Sequence, residues 1–161
     1  MSEINASIFD NFFNCFENSI CLLTAYDQKY VTKTLDKIWD GISFTDDNTN
    51  GGMFKLRQVT DTQTKKVASY YKVVNGQKIE TGWNSQIEGI TVDRDRKMRG
   101  DRVGFLFLEE SGSNPILRKS FIKAEELTTV GGDKVGIIAA IGTGGDSGPS
   151  LEGLRDIYYS P

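Results

Sequence analysis

The 161-residue chain contains no histidine. Histidine is the usual general base near neutral pH and a common metal ligand. Its absence therefore excludes Ser-His and Cys-His catalytic pairs and every histidine-ligated metal site. An enzyme built from this sequence would have to work with Asp, Glu, Lys, Tyr, Ser or Cys. No complete catalytic constellation of these residues stands out, so we expect a protein that is not an enzyme.

Cysteine is scarce as well, with only Cys15 and Cys21 present. A disulfide-stapled secreted domain usually carries more cysteines, and two thiols without histidine make a poor metal site. We therefore expect two reduced thiols. No catalytic, cofactor-binding or metal-binding residue is predicted, and no cofactor.

Long hydrophobic runs and a strong charge are also missing. No apolar run approaches the length that crosses a bilayer, and the N-terminus lacks a basic segment followed by an apolar one. The net charge of −3 gives no general attraction to nucleic acid or anionic membranes. We expect a cytoplasmic protein without a membrane span or a nucleic-acid partner, and the mature form of a secreted protein is the alternative.

Aromatic and aliphatic residues are concentrated near the N-terminus, at spacings of three and four residues. On a helix these residues would share one face: Ile8, Phe9, Phe12, Phe13 and Phe16. We predict a short helical or capping segment over residues 1–18 that packs on the core. A groove or a membrane contact is the alternative use of this face.

The most informative feature that is present is an internal similarity between Gln28–Thr45 and Gln77–Asp93. Both segments begin Gln-Lys-apolar and later contain a Gly-Ile pair. That pair recurs at Gly41, Gly89 and Gly136, at intervals of about fifty residues, the range typical of repeat architectures. We predict a single domain, 1–161, with repeats over about 19–66, 67–114 and 115–161.

Each repeat can be divided into short strands and turns. The clearest hairpin joins Val67–Val74 to Lys78–Thr81 through Asn75-Gly76. Asn-Gly suits a two-residue type I′ turn because both residues accept positive φ. Other strand candidates alternate apolar and polar residues or are continuously apolar: Ile42–Thr45, Val103–Leu108 and Val135–Ile141.

Three four-stranded units in a chain of this length resemble the β-trefoil fold. The segment Leu22–Lys33, LLTAYDQKYVTK, resembles a hairpin of the fascin and hisactophilin group of trefoils. The resemblance implies an all-β, β-trefoil-like barrel of three pseudo-repeats. It further implies a non-enzymatic binding module with a macromolecular partner, actin being the cytoskeletal candidate. A carbohydrate-binding trefoil lectin and a protease inhibitor are the alternatives, so a protein or carbohydrate ligand is expected.

One loop is rich in arginine and lysine, and Arg side chains bind acidic partners bidentately. Exposed tryptophan could stack on a sugar ring. The predicted partner-binding residues are accordingly Arg94, Arg96, Lys97, Arg99, Arg102 and Trp83.

Two glycine-rich motifs near the C-terminus resemble active-site loops of known enzymes. Gly145–Pro149 resembles the nucleophile loop of trypsin-like proteases, but the histidine base is missing. Gly142–Gly145 follows an apolar strand, but the third glycine and the lysine of phosphate-binding loops are missing. We interpret both as turns. The sequence leaves the oligomeric state open.

Overall fold

The computed structural model describes residues 2–50, 55–92, 102–143 and 148–159. These residues form a mixed α/β structure. In chain order its elements are α1 (Ser2–Cys15), β1 (Ile20–Ala25), α2 (Gln28–Asn48), β2 (Thr60–Asp61), β3 (Lys65–Val74), β4 (Gln77–Thr91), β5 (Phe105–Glu109), a 3₁₀ turn (Ser111–Ser113), α3 (Leu117–Leu127), β6 (Thr129–Val130), β7 (Asp133–Lys134), β8 (Ile137–Ala140) and α4 (Pro149–Tyr159).

Six strands form one mixed, mostly parallel sheet in the order β2-β3-β4-β1-β5-β8, and β6 pairs with β7 separately. The strands β2, β3 and β4 are antiparallel, whereas β5 and β8 are parallel. Gln86 N–H donates to Ser19 C=O and Val92 N–H donates to Ala25 C=O. Donors and acceptors advance in the same direction along the chain, so β4 and β1 are parallel too.

The predicted all-β barrel is therefore wrong, and α2 shows why. A helix occupies Gln28–Asn48, where strands were predicted. Its buried apolar residues are spaced by three and four: Val31, Leu35, Ile38 and Ile42. This is the helical period. The alternation over Ile42–Thr45 suggested a strand, but it covers too few residues to outweigh the longer pattern.

The glycine landmarks of the predicted repeats lie in unrelated surroundings. Gly41 is inside α2, Gly89 is inside β4, and Gly136 immediately precedes β8. Three copies of one unit would place these residues in the same element, so the trefoil repeat is wrong. By internal contacts the residues form two units, one of residues 1–21 and 32–88 and the other of residues 22–31 and 89–161. The single-domain assignment stays a prediction.

The first unit contains the long β3–β4 hairpin. Asn75 and Gly76 have φ of 52° and 78°, and Val74 pairs with Gln77. The predicted Asn-Gly hairpin is thus confirmed. A helix also forms at the N-terminus, with Phe9 and Phe13 of α1 fully buried, although it closes no barrel.

The same unit holds two partly desolvated carboxyl groups. Asp10 accepts hydrogen bonds from Thr45 Oγ1 at 2.7 Å and Asn14 Nδ2 at 2.6 Å. Burial raises the pKa of Asp10 despite these bonds. Burial, and then the charge of Asp10, raise the pKa of Asp46 as well, against the opposing charge of Lys55.

The second unit contains two fully buried strand segments, Leu22–Ala25 and Phe105–Leu108. All of their residues are apolar except Thr24. Such runs are typical of strands covered on both faces. Within the described ranges, no helix is long and apolar enough to cross a bilayer. A cytoplasmic location stays a prediction.

Replacing Gly41 and Gly136 by alanine should have opposite effects. A Cβ at Gly41 would meet nothing within 4 Å. Because alanine is the better helix former, Gly41→Ala should raise the free energy of unfolding by about 1 kcal/mol. A Cβ at Gly136 would lie 2.1 Å from Val103 O, so Gly136→Ala should lower it by roughly 1–3 kcal/mol. Chemical denaturation measures both changes, and equal effects of the two substitutions would contradict the structure.

Asp46→Asn should change how stability depends on pH. A carboxyl group whose pKa is raised in the folded state stabilises the fold while protonated. That contribution is lost as the pH rises through the raised pKa. The unfolding free energy of the wild type relative to Asp46→Asn should therefore fall as the pH rises from about 3.9, the ordinary aspartate pKa. Denaturation at several pH values checks this, with exposed Asp47→Asn as the control, and parallel curves for wild type and Asp46→Asn would refute it.

Candidate carboxylate site at the strand ends

The carboxyl ends of neighbouring strands meet in the second unit. Thr24 Oγ1, near the end of β1, donates to Phe107 C=O in β5 at 3.3 Å. Ile141 N–H, just after β8, donates to Leu108 C=O at 3.0 Å. The segments that leave β1, β5 and β8 therefore begin at one edge of the sheet. In open α/β sheets, ligands bind outside the carboxyl ends of the strands.

Two consecutive carboxylates emerge at this edge. The four residues Phe105–Leu108 are buried, and Glu109 and Glu110 follow them and are half-buried. Glu110 has φ 50° and ψ 42°, the left-handed region. This conformation is uncommon for residues other than glycine, and it is found preferentially at functional sites.

The turn that carries Glu110 is held by several hydrogen bonds. Buried Ser111 donates from Oγ to Leu108 C=O at 2.9 Å and from N–H to Ile141 C=O at 3.0 Å. Asn114, also buried, accepts from the Ile116 N–H through Oδ1 at 2.9 Å. Since backbone and side-chain bonds both fix the turn, the carboxylates leave the strand in a defined direction.

Gly142 packs directly on this turn. A Cβ at Gly142 would lie 2.6 Å from Ser111 N, 2.7 Å from Gly112 N and 3.0 Å from the carbonyl carbon of Glu110. No side chain fits at these distances. The glycine-rich segment predicted as a simple turn therefore begins with a residue that sets how closely β8 approaches the Glu110 turn. Residues 144–147 of that segment lie outside the described ranges.

The connection from β1 to α2 is not built to hold phosphate. It consists of Tyr26 and Asp27, without glycine, and the Asp27 carboxylate accepts the Lys29 N–H at 2.9 Å as a helix cap. Lys29 Nζ lies 3.5 Å from the Asp27 carboxylate and 4.7 Å from the Tyr30 ring centre. Tyr30, and then Asp27, raise the pKa of Lys29. An anionic cap leaves this helix start unsuited to a second anion.

Glu109 and Glu110 suit a magnesium ion only if a phosphate ligand helps to complete its coordination. Among the side chains that the structure describes, no group of three or more Cys, Asp or Glu residues gathers to hold a metal. Magnesium in proteins is commonly bound by one or two carboxylates, completed by water and substrate phosphates. Glu109 and Glu110 match that pattern.

Of the residues predicted to bind a partner, the structure describes Arg102 and Trp83, which belong to different units. Arg102 donates to the Glu126 carbonyl at the end of α3. Trp83 lies half-buried in the other unit, beside a cavity of about 420 Å³ that Arg57 and Tyr70 also line. Its buried Nε1 has no hydrogen-bond partner among the described residues. The other four lie outside the described ranges: Arg94, Arg96, Lys97 and Arg99.

The chain is similar in structure to the ATPase domain of the large terminase of Thermus phage P74-26. With one structure of that domain it has a TM-score of 0.70 at 15% sequence identity, covering 94% of this chain and 58% of that one. With a point mutant of the domain the TM-score is 0.65 at 16% identity, over 88% and 54% of the two chains. The chain thus spans little more than half of these domains. No protein-family model and no curated protein matches it.

These similarities correct the sequence-based predictions. The fold is that of an α/β ATPase domain and not a β-trefoil of the fascin and hisactophilin group. The actin-binding, lectin and protease-inhibitor functions depended on the trefoil and are wrong with it. The expectation of a protein that is not an enzyme is overturned too, because both similar structures are ATPase domains.

Sequence reasoning missed Glu109 and Glu110, although a signal for them exists. The strand prediction ended at Leu108 and did not consider the two acids that follow. A short continuous apolar run indicates a strand buried on both faces, which is common in parallel sheets. Polar residues directly after such a strand lie at the ligand-binding edge.

Gly142→Ala should displace the turn that carries Glu110. The added methyl group overlaps backbone atoms, so we expect a loss of roughly 1–3 kcal/mol of unfolding free energy and faster hydrogen exchange of the Ser111 amide. Denaturation and exchange measured by NMR check the two effects. Thr143→Ala, at the adjacent exposed residue, is the control. Unchanged exchange at Ser111 would show that Gly142 does not constrain the turn.

Proposed function

We propose that this chain supplies the carboxylate-bearing part of an ATP-hydrolysing enzyme. One observation carries the proposal: buried strand β5 ends at Glu109, and Glu110 follows it at the edge where neighbouring strands also end. The similarity to ATPase domains supports it. Since the chain spans little more than half of those domains, the proposal concerns a part of the catalytic apparatus.

The two acids suit different tasks in phosphoryl transfer. In P-loop NTPases an acidic residue helps to hold the magnesium ion, and we assign that role to Glu109, the last residue of β5. Glu110 would orient the attacking water and accept its proton as a general base. The bound ion supplies charge neutralisation of the phosphate oxygens.

Gly142 and Ser111 act in this proposal only through the turn. Ser111 ties the turn to Leu108 and Ile141, and Gly142 allows β8 to approach it. A general base must lie within hydrogen-bond reach of its water, so a shifted turn would impair it. The partner-binding roles of Arg102 and Trp83, and the absence of a nucleic-acid partner, stay predictions.

Substituting Glu109 and Glu110 separately should distinguish nucleotide binding from ATP hydrolysis. Glu110→Gln removes the base, so phosphate release from Mg·ATP should fall at least about 100-fold while nucleotide binding persists. Glu109→Gln should instead weaken the binding of metal and nucleotide. Binding is measured with Mn²⁺ in place of Mg²⁺, by paramagnetic broadening of the Ser111 and Gly112 amide signals in the presence of ATP.

The exposed acid substitution Glu152→Gln on α4 is the control and should change neither readout. If Mn²⁺·ATP broadens no signal near Glu109 and Glu110, the carboxylates do not form the site. If Glu110→Gln releases phosphate as fast as the wild type, Glu110 is not the base.

A further inference from the structure

We infer that the cavity beside Trp83 is a binding site for a small, planar organic monocarboxylate. Arg57 would bind the carboxylate of this ligand as a bidentate donor, and the indole N–H of Trp83 would donate to one of its oxygens. The cavity is lined by residues of the first unit, whereas Glu109 and Glu110 belong to the second. The inference is therefore independent of the proposed function, and failure of either would leave the other intact.

A bulge between β3 and β4 positions Trp83. The register of the pairing shifts between Ala68 and Tyr70, where one residue of β3 lies opposite three residues of β4. Trp83 is the middle residue of those three, and its neighbours have positive φ, 121° for Gly82 and 57° for Asn84. Bulges redirect side chains and are over-represented beside active sites, and residues of uncommon φ cluster at ligand-binding positions. The local backbone is thus typical of a binding site.

Contacts from two other segments hold the bulge in place. The Asn18 N–H donates to the Trp83 C=O at 2.9 Å, and Asn84 Nδ2 donates to Asn18 Oδ1 at 3.3 Å. In addition, a Cβ at Gly82 would lie 3.0 Å from Cδ1 of Tyr70, so the glycine backbone packs against the tyrosine ring. Trp83 therefore has a fixed backbone position at the cavity.

The indole N–H of Trp83 requires an acceptor. Its Nε1 is almost inaccessible to solvent and has no hydrogen-bond partner among the described residues. Trp39 differs, because its Nε1 donates to the Gln63 C=O at 3.0 Å. An indole N–H can only donate, and a buried polar group without a partner is rare and indicates an absent ligand or water. Since Trp83 lines the cavity, a bound molecule with an acceptor oxygen accounts for its N–H.

Arg57 supplies the positive charge. Its guanidinium carbon lies 5.2 Å from the centre of the Tyr70 ring, and an arginine stacked on a ring keeps its N–H edge free for a carboxylate. No described carboxylate forms an ion pair with Arg57 or with Lys55, which also lines the cavity. Both side chains are exposed, so small movements of them would admit an oxygen to Nε1 of Trp83.

The charge of the lining favours a monoanion. The cations Lys55 and Arg57 line the cavity together with the carboxylate of Glu17, so the net charge of these side chains is +1. A carboxylate neutralises this charge, whereas a phosphate dianion exceeds it and is repelled more strongly by Glu17. Lys55 also acts on Asp46, and we therefore assign the carboxylate of the ligand to Arg57.

The rest of the lining is suited to a flat apolar body. Leu56, Ala68 and the indole ring of Trp83 contribute apolar surface to the cavity of about 420 Å³. Sites for small molecules have volumes of about 300–1,000 Å³ and combine an apolar lining with a few polar groups. Aromatic rings also attract one another beyond the area that they bury. A planar ring beside the indole, with its carboxylate at Arg57, matches this lining.

Benzoate tests the site in the full chain, with the indole N–H signals of the two tryptophans followed by NMR. Titration should move the Trp83 signal, with a dissociation constant of about 1 mM for so small a ligand. The Trp39 signal should stay in place, because its N–H already has a partner. Benzamide has the same shape without the charge and should bind at least about tenfold more weakly. Phenyl phosphate should also bind more weakly than benzoate.

Three variants assign the roles of the side chains. Arg57→Gln removes the cation, and Trp83→Phe removes the N–H but keeps a ring. Each should weaken benzoate binding at least about tenfold, measured from the backbone amide signal of Gly82. Lys78→Gln removes an exposed charge outside the lining of the cavity and should bind benzoate like the wild type. Thermal unfolding checks each variant, and exposed Arg57→Gln is expected to fold even if Trp83→Phe does not.

Several results would overturn the inference. A Trp83 signal that does not move at about 20 mM benzoate would exclude the site. Equal binding of benzamide would show an apolar slot in which charge has no role, and tighter binding of phenyl phosphate would show a phosphate site. Movement of both tryptophan signals together would show nonspecific binding only. Wild-type affinity of Arg57→Gln for benzoate would exclude Arg57 as the cation.

Discussion

The burial of β5 is the constraint on which the candidate site depends. Its residues Phe105–Leu108 are inaccessible to solvent, so their backbone groups must be satisfied by strands on both sides. Charged residues cannot continue such a strand without a large desolvation cost. The strand therefore ends at half-buried Glu109, and the chain leaves the sheet at Glu110. The two carboxylates reach the edge because the four strand residues before them are apolar.

A second constraint connects that edge to β8. The Ser111 N–H bonds the Ile141 carbonyl, and Gly142 approaches the same turn more closely than any residue with a side chain could. Movement of the segment after β8 would therefore move the turn that carries Glu110. The left-handed conformation of Glu110 is maintained by this packing rather than by its own preference. The geometry of Glu109 and Glu110 thus depends on β5 and β8 together.

Local features could be predicted from the sequence, and non-local ones could not. Asn75-Gly76 dictates its own turn through its φ preferences, and the spacing of Phe9 and Phe13 suffices for a helix. The Gly-Ile pairs at Gly41 and Gly136 look alike in sequence, yet one lies in a helix and the other precedes a strand. Tertiary structure alone decided strand order and the meeting of Glu110 with Gly142. Each of these depends on pairing between segments far apart in the chain, where burial and backbone hydrogen bonding outweigh local propensity.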